Sequence, residues 1–180
     1  MTNETIAVFQ EIKDFIGFTD DDVASLKALA PVFAADGAAL TDMFYVKLER
    51  DPEQRRLIEG RVEALKRTHN RWMSELFAGE YGEGYFNDRW RIGLAHVRVG
   101  VKPWWVEAVT SFLRTEGLGL LTGKISDPGQ RTRSAQALVK ILDIDLMIIN
   151  LAYSQETIDR LSQFTGMSRK LIERCVQLKK

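Results

Sequence analysis

Apolar residues recur every three or four positions along almost the whole chain, and apolar–polar alternation is nowhere sustained. That period belongs to helices, so the pattern predicts an all-α chain. A first helix is expected from about Glu4 to Ile16, with Ile6, Phe9, Ile12 and Ile16 on one stripe and Gly17 as its stop. Thr19 or Asp20 caps a second, which carries Val23, Leu26 and Leu29 and runs to about Pro31. A third holds Leu40, Phe44 and Leu48 and ends near Asp51-Pro52, and a fourth runs from about Arg61 to Phe77. AGEYGEG, residues 78–84, reads as a loop. Tyr85 to Val99 forms a fifth helix stopped by Gly100, and Pro103 opens a sixth that reaches about Leu121. Ser126-Asp127-Pro128 opens a long seventh that continues past Ser154, and the tail from Gln155 is helical too, with a break at Thr165-Gly166-Met167. Seven or eight helices with short connections in about 150 residues suit a globin-like fold and a plain helical bundle equally.

Composition narrows the function classes. Lys and Arg total 25, as do Asp and Glu, so no net field draws the chain to nucleic acid or to an anionic membrane. The single cysteine, Cys175, has no intramolecular partner and makes no zinc cluster, which points to a reducing, cytoplasmic setting. Charges interrupt the first fifteen residues, unlike a signal peptide, and Asp143 and Asp145 interrupt the apolar stretch Ile141 to Tyr153. No membrane role is expected.

Candidate chemistry rests on two histidines, His69 and His96, on successive predicted helices. Neutral imidazole is a good iron ligand, and one on a helix suffices to hold haem. Ile92, Gly93, Val97, Val99 and Gly100 surround His96; glycines one turn to either side leave its helix face bare, which marks a close approach by another body. The alternative is a packed core histidine. No spacing of His with Cys, Asp or Glu matches a zinc or di-iron site, and Glu75, Glu80 and Glu83 read as solvated charges. Gly117, Gly119 and Gly123 follow no strand, so they form no phosphate loop.

The string RIGLAHVRVGVKPWWVEA, Arg91 to Ala108, resembles the proximal segment of globin-coupled sensors and protoglobins, where a ligand histidine precedes an Arg-(Ile/Val)-Gly triplet and then Pro with Trp or Tyr. Here the triplet is Arg98-Val99-Gly100. MFYVKLERDP, Met43 to Pro52, is similar to the family's distal helix, and LKRTHNRWMSELFAGEYGEGY, Leu65 to Tyr85, to the helix and loop that cross the distal face. The helix before Gly17 also matches, so the resemblance covers roughly Glu4 to Ser154. It implies a globin fold with an additional N-terminal helix, residues 1–154, and a helical extension or linker, 155–180, toward an output domain that this sequence does not contain.

The resemblance also implies haem b and reversible binding of O₂, CO or NO. His96 matches the proximal iron ligand, Tyr45 a distal tyrosine that bonds the gas, and Thr68 a polar distal residue of some aerotaxis sensors. His69 is a candidate sixth ligand; because Thr68 and His69 are adjacent, only one of them points at the iron. Phe44, Trp72, Ile92 and Val97 are candidate walls, with Trp90 and Trp104 as further aromatics, and Arg91 and Arg98 are placed either at the propionates or in solvent. The family's Trp-Tyr after the proline is Trp104-Trp105 here, which removes any bond from that tyrosine. A homodimer through the last two long helices is implied, expected on the stripe Leu138, Ile141, Leu142, Ile148, Ile149 and Ala152, broken by Asp145, with Leu113, Leu118 and Leu121. The expected function is a gas sensor that reports to a kinase, cyclase or chemotaxis output rather than an enzyme. The alternatives are a haem-free globin-like interaction module of a stress-signalling protein and a haem enzyme such as an NO dioxygenase, which requires an electron source absent from these motifs.

Overall fold

The structure, a computed structural model, describes residues 3–177, with side chains from 6 to 176. Eight helices are formed among them. Helix α1 is Asn3–Phe15, α2 Asp20–Leu48, α3 Pro52–Ile58 and α4 Val62–Glu75. Then follow α5 Glu83–Val99, α6 Pro103–Lys124, α7 Pro128–Thr165 and α8 Arg169–Gln177.

Local chemistry sets most of these boundaries. Asp127 accepts from Gln130 N at 2.6 Å, ahead of Pro128 in the first turn of α7. Gly100, at φ +85°, closes α5 in the left-handed conformation that glycine takes without strain, and Gly166, at φ +71°, closes α7.

Two expectations fail here. The second and third helices are one helix of 29 residues with Pro31 inside it. Pro31 itself is exposed, while Leu26, Leu29, Phe33, Gly37, Leu40, Thr41 and Phe44 form one buried face across it. Burial along that face outweighs the hydrogen bond that proline removes. Between Asp51 and Arg61 the chain forms a short helix, α3, where the pattern predicts none; Asp51 Oδ1 caps it by accepting from Glu53 N at 3.0 Å and Gln54 N at 2.9 Å.

The main core lies where α7 meets α5, α6 and α2. Leu138, Ile141, Leu142, Ile148, Ile149 and Ala152 are all buried inside the subunit, together with Leu113 and Leu121. The stripe expected to form a dimer surface is therefore the subunit's own core, because one globule needs that much apolar surface to close around α7. Asp145, expected to break the stripe, is 2% exposed and fully bonded inside it. Among the described residues, helix α2 is long and apolar enough to cross a membrane by composition; here it packs against α4, α6 and α7.

Candidate functional site

His69 and His96 each carry a buried ring nitrogen without a protein partner: Nε2 on His69 and Nδ1 on His96. Burial pushes both imidazoles down to about 4, so both are neutral at physiological pH and have a lone pair to offer. A buried polar atom left unpaired costs about 1–3 kcal/mol, so each of these nitrogens is a candidate for a partner from outside the chain.

The surroundings of His69 are built around the ring. Its centroid lies 5.0 Å from that of the Trp72 ring and 5.1 Å from that of Phe44, and Tyr45 stands edge-on at 6.4 Å. Its Nδ1 is 2.9 Å from Thr41 Oγ1. Phe44, Tyr45 and Ile58 are the buried members of a second apolar cluster, distinct from the main core, with Leu48, Val62, Leu65, Val109 and Phe112 packed on it. Burial raises the Tyr45 phenol to about 12, so its hydroxyl keeps its proton and remains a donor.

Helices α4 and α5 share almost no backbone contact; α4 packs on α2 and α5 on α7. A buried polar hub bridges them instead. Asp145 of α7 accepts from Trp72 Nε1 at 2.6 Å, from Arg89 Nε at 3.2 Å and from the Tyr85 hydroxyl. Arg89 also donates to Glu75 at 2.5 Å and to the Trp72 carbonyl at 3.3 Å, and its guanidinium stacks 4.1 Å from the Tyr85 ring centroid. Burial pushes the Asp145 carboxyl up, while Arg89 and the hydrogen bonds pull it back. Sequence reasoning misses this hub, since it takes Glu75 as solvated and passes over Arg89. The available signal is Trp72, Glu75, Tyr85 and Arg89 at helical spacing on two successive helices, opposite a lone Asp in an apolar stretch.

Other expected site residues divide. Ile92 and Val97 are half-buried beside His96 on α5. Thr68 lies outside the group: it is exposed, and its hydroxyl donates to its own helix at Ala64 O, 3.1 Å away. The phase of α4 turns His69 inward in its place. Trp90 is buried in the main core, Trp104 is 61% exposed, and Arg91 and Arg98 are exposed. The bare helix face at His96 also has another explanation. A Cβ on Gly93 would meet Ala152 Cβ at 2.6 Å and Ile149 O at 3.0 Å, so the body that approaches there is α7. Gly100 serves the helix end.

Neutral imidazoles at His69 and His96, aromatic rings around His69 and no cluster of three His, Cys, Asp or Glu among the described residues fit a flat, apolar, iron-bearing group better than a bare divalent ion. The groove of about 330 Å³ between α2 and α4, lined by Ala34, Gly37, Met73 and Phe77, touches neither histidine.

The Protoglobin family model matches residues 7–159. The globin domain of a Geobacter sulfurreducens globin-coupled sensor is 36% identical, with a TM-score of 0.77 over 80% of this chain and 96% of that one. The ferric globin domain of E. coli DosC shares the fold at a TM-score of 0.69, with 16% identity over 80% of this chain and 98% of that one. The haem-based aerotactic transducer HemAT of Halobacterium salinarum is 37% identical over 92 residues, which are 49% of this chain and 19% of the transducer. This chain thus corresponds to a minor part of that relative's length.

Proposed function

This chain belongs to the protoglobin family, and from that premise we propose that it is the haem-based gas-sensing globin of a signalling system. The observation that carries the reading is the neutral His69 imidazole, bonded at Nδ1 with Nε2 buried and without a partner, together with a second neutral imidazole at His96. Its likeness to a globin-coupled sensor and to a haem-based aerotactic transducer supports it.

When haem is bound, His96 would hold its iron, with Ile92 and Val97 beside it on α5, and His69 would serve as a second ligand in the absence of gas. Haem, when bound, supplies an iron that takes O₂, CO or NO reversibly. The chain's own residues do the rest. Phe44 and the second apolar cluster would exclude water, and the Tyr45 hydroxyl, held protonated, would be available to donate to a bound gas. Trp72 packs on His69 and donates to Asp145 at 2.6 Å, so a shift of the His69 ring is felt on α7. That is a physical route from the ligand side to the longest helix, and a signal follows if gas favours one of two arrangements of that helix. We assign the output to a partner domain such as a kinase, cyclase or chemotaxis transducer.

The test is the absorption spectrum of purified protein in ferric, ferrous and CO-bound forms, for wild type and His96→Ala. The expected result is a haem spectrum in wild type and, in the variant, loss of haem or its rescue by added imidazole. A wild-type spectrum in His96→Ala overturns the assignment, and a colourless wild type that takes up no added haem favours the haem-free interaction module. In the same series Tyr45→Phe should release O₂ about tenfold faster, the worth of one hydrogen bond.

A further inference from the structure

Thr41 lies at full burial on α2, and its hydroxyl has three neighbours: Gly37 O at 3.0 Å, Asn70 Oδ1 at 2.6 Å and His69 Nδ1 at 2.9 Å. A hydroxyl carries one proton and two lone pairs. Both oxygens can only accept, and the contact to Asn70 is the shortest, so the Thr41 proton goes to oxygen. What remains toward His69 is a lone pair, which an Nδ1–H satisfies and a bare Nδ1 does not. The neutral ring therefore carries its proton on Nδ1, and the lone pair falls on Nε2, the atom that is buried without a partner. Phe44 and Trp72, both tilted about the imidazole at close to 5 Å, fix the plane in which that lone pair points.

We propose that Thr41, backed by Asn70, is the positioning residue that sets the tautomer of His69 and so makes its Nε2 the ligating atom. The inference rests on the reading that His69 ligates haem iron in the absence of gas. Ligating histidines characteristically donate their other N–H to an outer partner, and the partner tunes how strongly they bind. A carboxylate there makes imidazole a stronger base. A neutral hydroxyl does so much less, which suits a ligand that must give way to gas. His96 has no such partner on Nδ1, so the two imidazoles are prepared differently.

The experiment has two readouts. In haem-free protein, ¹⁵N NMR of the histidine side chains reports the tautomer directly. His69 is expected to show a protonated Nδ1 and a bare Nε2 in wild type, the reverse or a mixture in Thr41→Val, and the wild-type pattern again in Thr41→Ser. In haem-loaded ferrous protein without gas, the ratio of low-spin to high-spin haem is expected to fall about tenfold in Thr41→Val, one hydrogen bond's worth in an equilibrium, and to recover in Thr41→Ser. A protonated Nε2 in wild type overturns the proposal without any variant, so a Thr41→Val chain that fails to fold does not shelter it. Unchanged tautomer and spin state in folded Thr41→Val overturn it as well. His69→Leu separates the two levels. If it leaves the gas-free spectrum unchanged, His69 is not a ligand and both the underlying reading and the ligating role fail. If it turns the haem high-spin while Thr41→Val does nothing, only the present inference fails.

Discussion

The two histidines make a residue-scale claim that pH can test. Burial holds each near pKa 4 in the folded chain, against about 6.5 unfolded. Between those values the unfolded chain binds protons that the folded chain does not. The stability of the haem-free protein should therefore rise with pH across this window and fall as pH drops from about 6.5 toward about 4, by up to about 1.4 kcal/mol per unit for each histidine. His69→Gln should remove one share of that slope. Urea unfolding at several pH values measures it, and equal slopes in wild type and variant would show that His69 is not buried neutral. At the same scale, the choice between Thr68 and His69 is open in the sequence, because adjacent residues on a helix differ by about 100° in direction. The packing of α4 against α2 turns His69 to Thr41 and leaves Thr68 to its own backbone.

At the scale of elements, contact between α5 and α7 governs how the proximal helix is held. Gly93 lets α5 approach the α7 backbone at Ile149 and the methyl of Ala152. Backbone does not swing aside as a long side chain does, so Gly93→Ala should destabilise the protein by about 1–3 kcal/mol. Gly119, inside α6, faces open space where a methyl would stand, and Gly119→Ala should be neutral or stabilising by up to about 1 kcal/mol. Thermal midpoints of the two variants test this, and a Gly93→Ala protein as stable as wild type would mean that α5 is not held against α7 as described. Asp145 adds a polar joint to the same contact. Its bonds to Trp72, Tyr85 and Arg89 tie α4 and α5 to α7.

For the whole molecule, the open matter is association, and the predicted stripe no longer serves it. Another face of α7 remains. Val139, Leu146 and Asn150 are half-buried, and Leu161 and Phe164 are 44% and 91% exposed. All five lie within about 40° of one direction, since eleven residues return to nearly the same side of a helix. A row of that kind on a helix of 38 residues suits a two-fold partner copy. Sedimentation at micromolar concentration should show a dimer, weakened in Leu146→Arg. A clean wild-type monomer would exclude this surface.

The order of the helices from α4 onward, the stops at Gly17, Gly100 and Gly166, the histidine pair and the family's motifs are legible in the chain, because caps, periodicity and ligand type are local properties. The continuity of α2 through Pro31, the use of Gly93, the fate of Asp145 and the inward turn of His69 are not. Each depends on what another helix presents at that point: a long apolar face that outweighs one lost hydrogen bond, a backbone that needs room, an arginine and a tryptophan that satisfy a buried carboxylate, a threonine hydroxyl within bonding distance of an imidazole. Those partners lie 28 to 73 positions away where their bonds to His69 and Asp145 are concerned, and only packing in three dimensions brings them together.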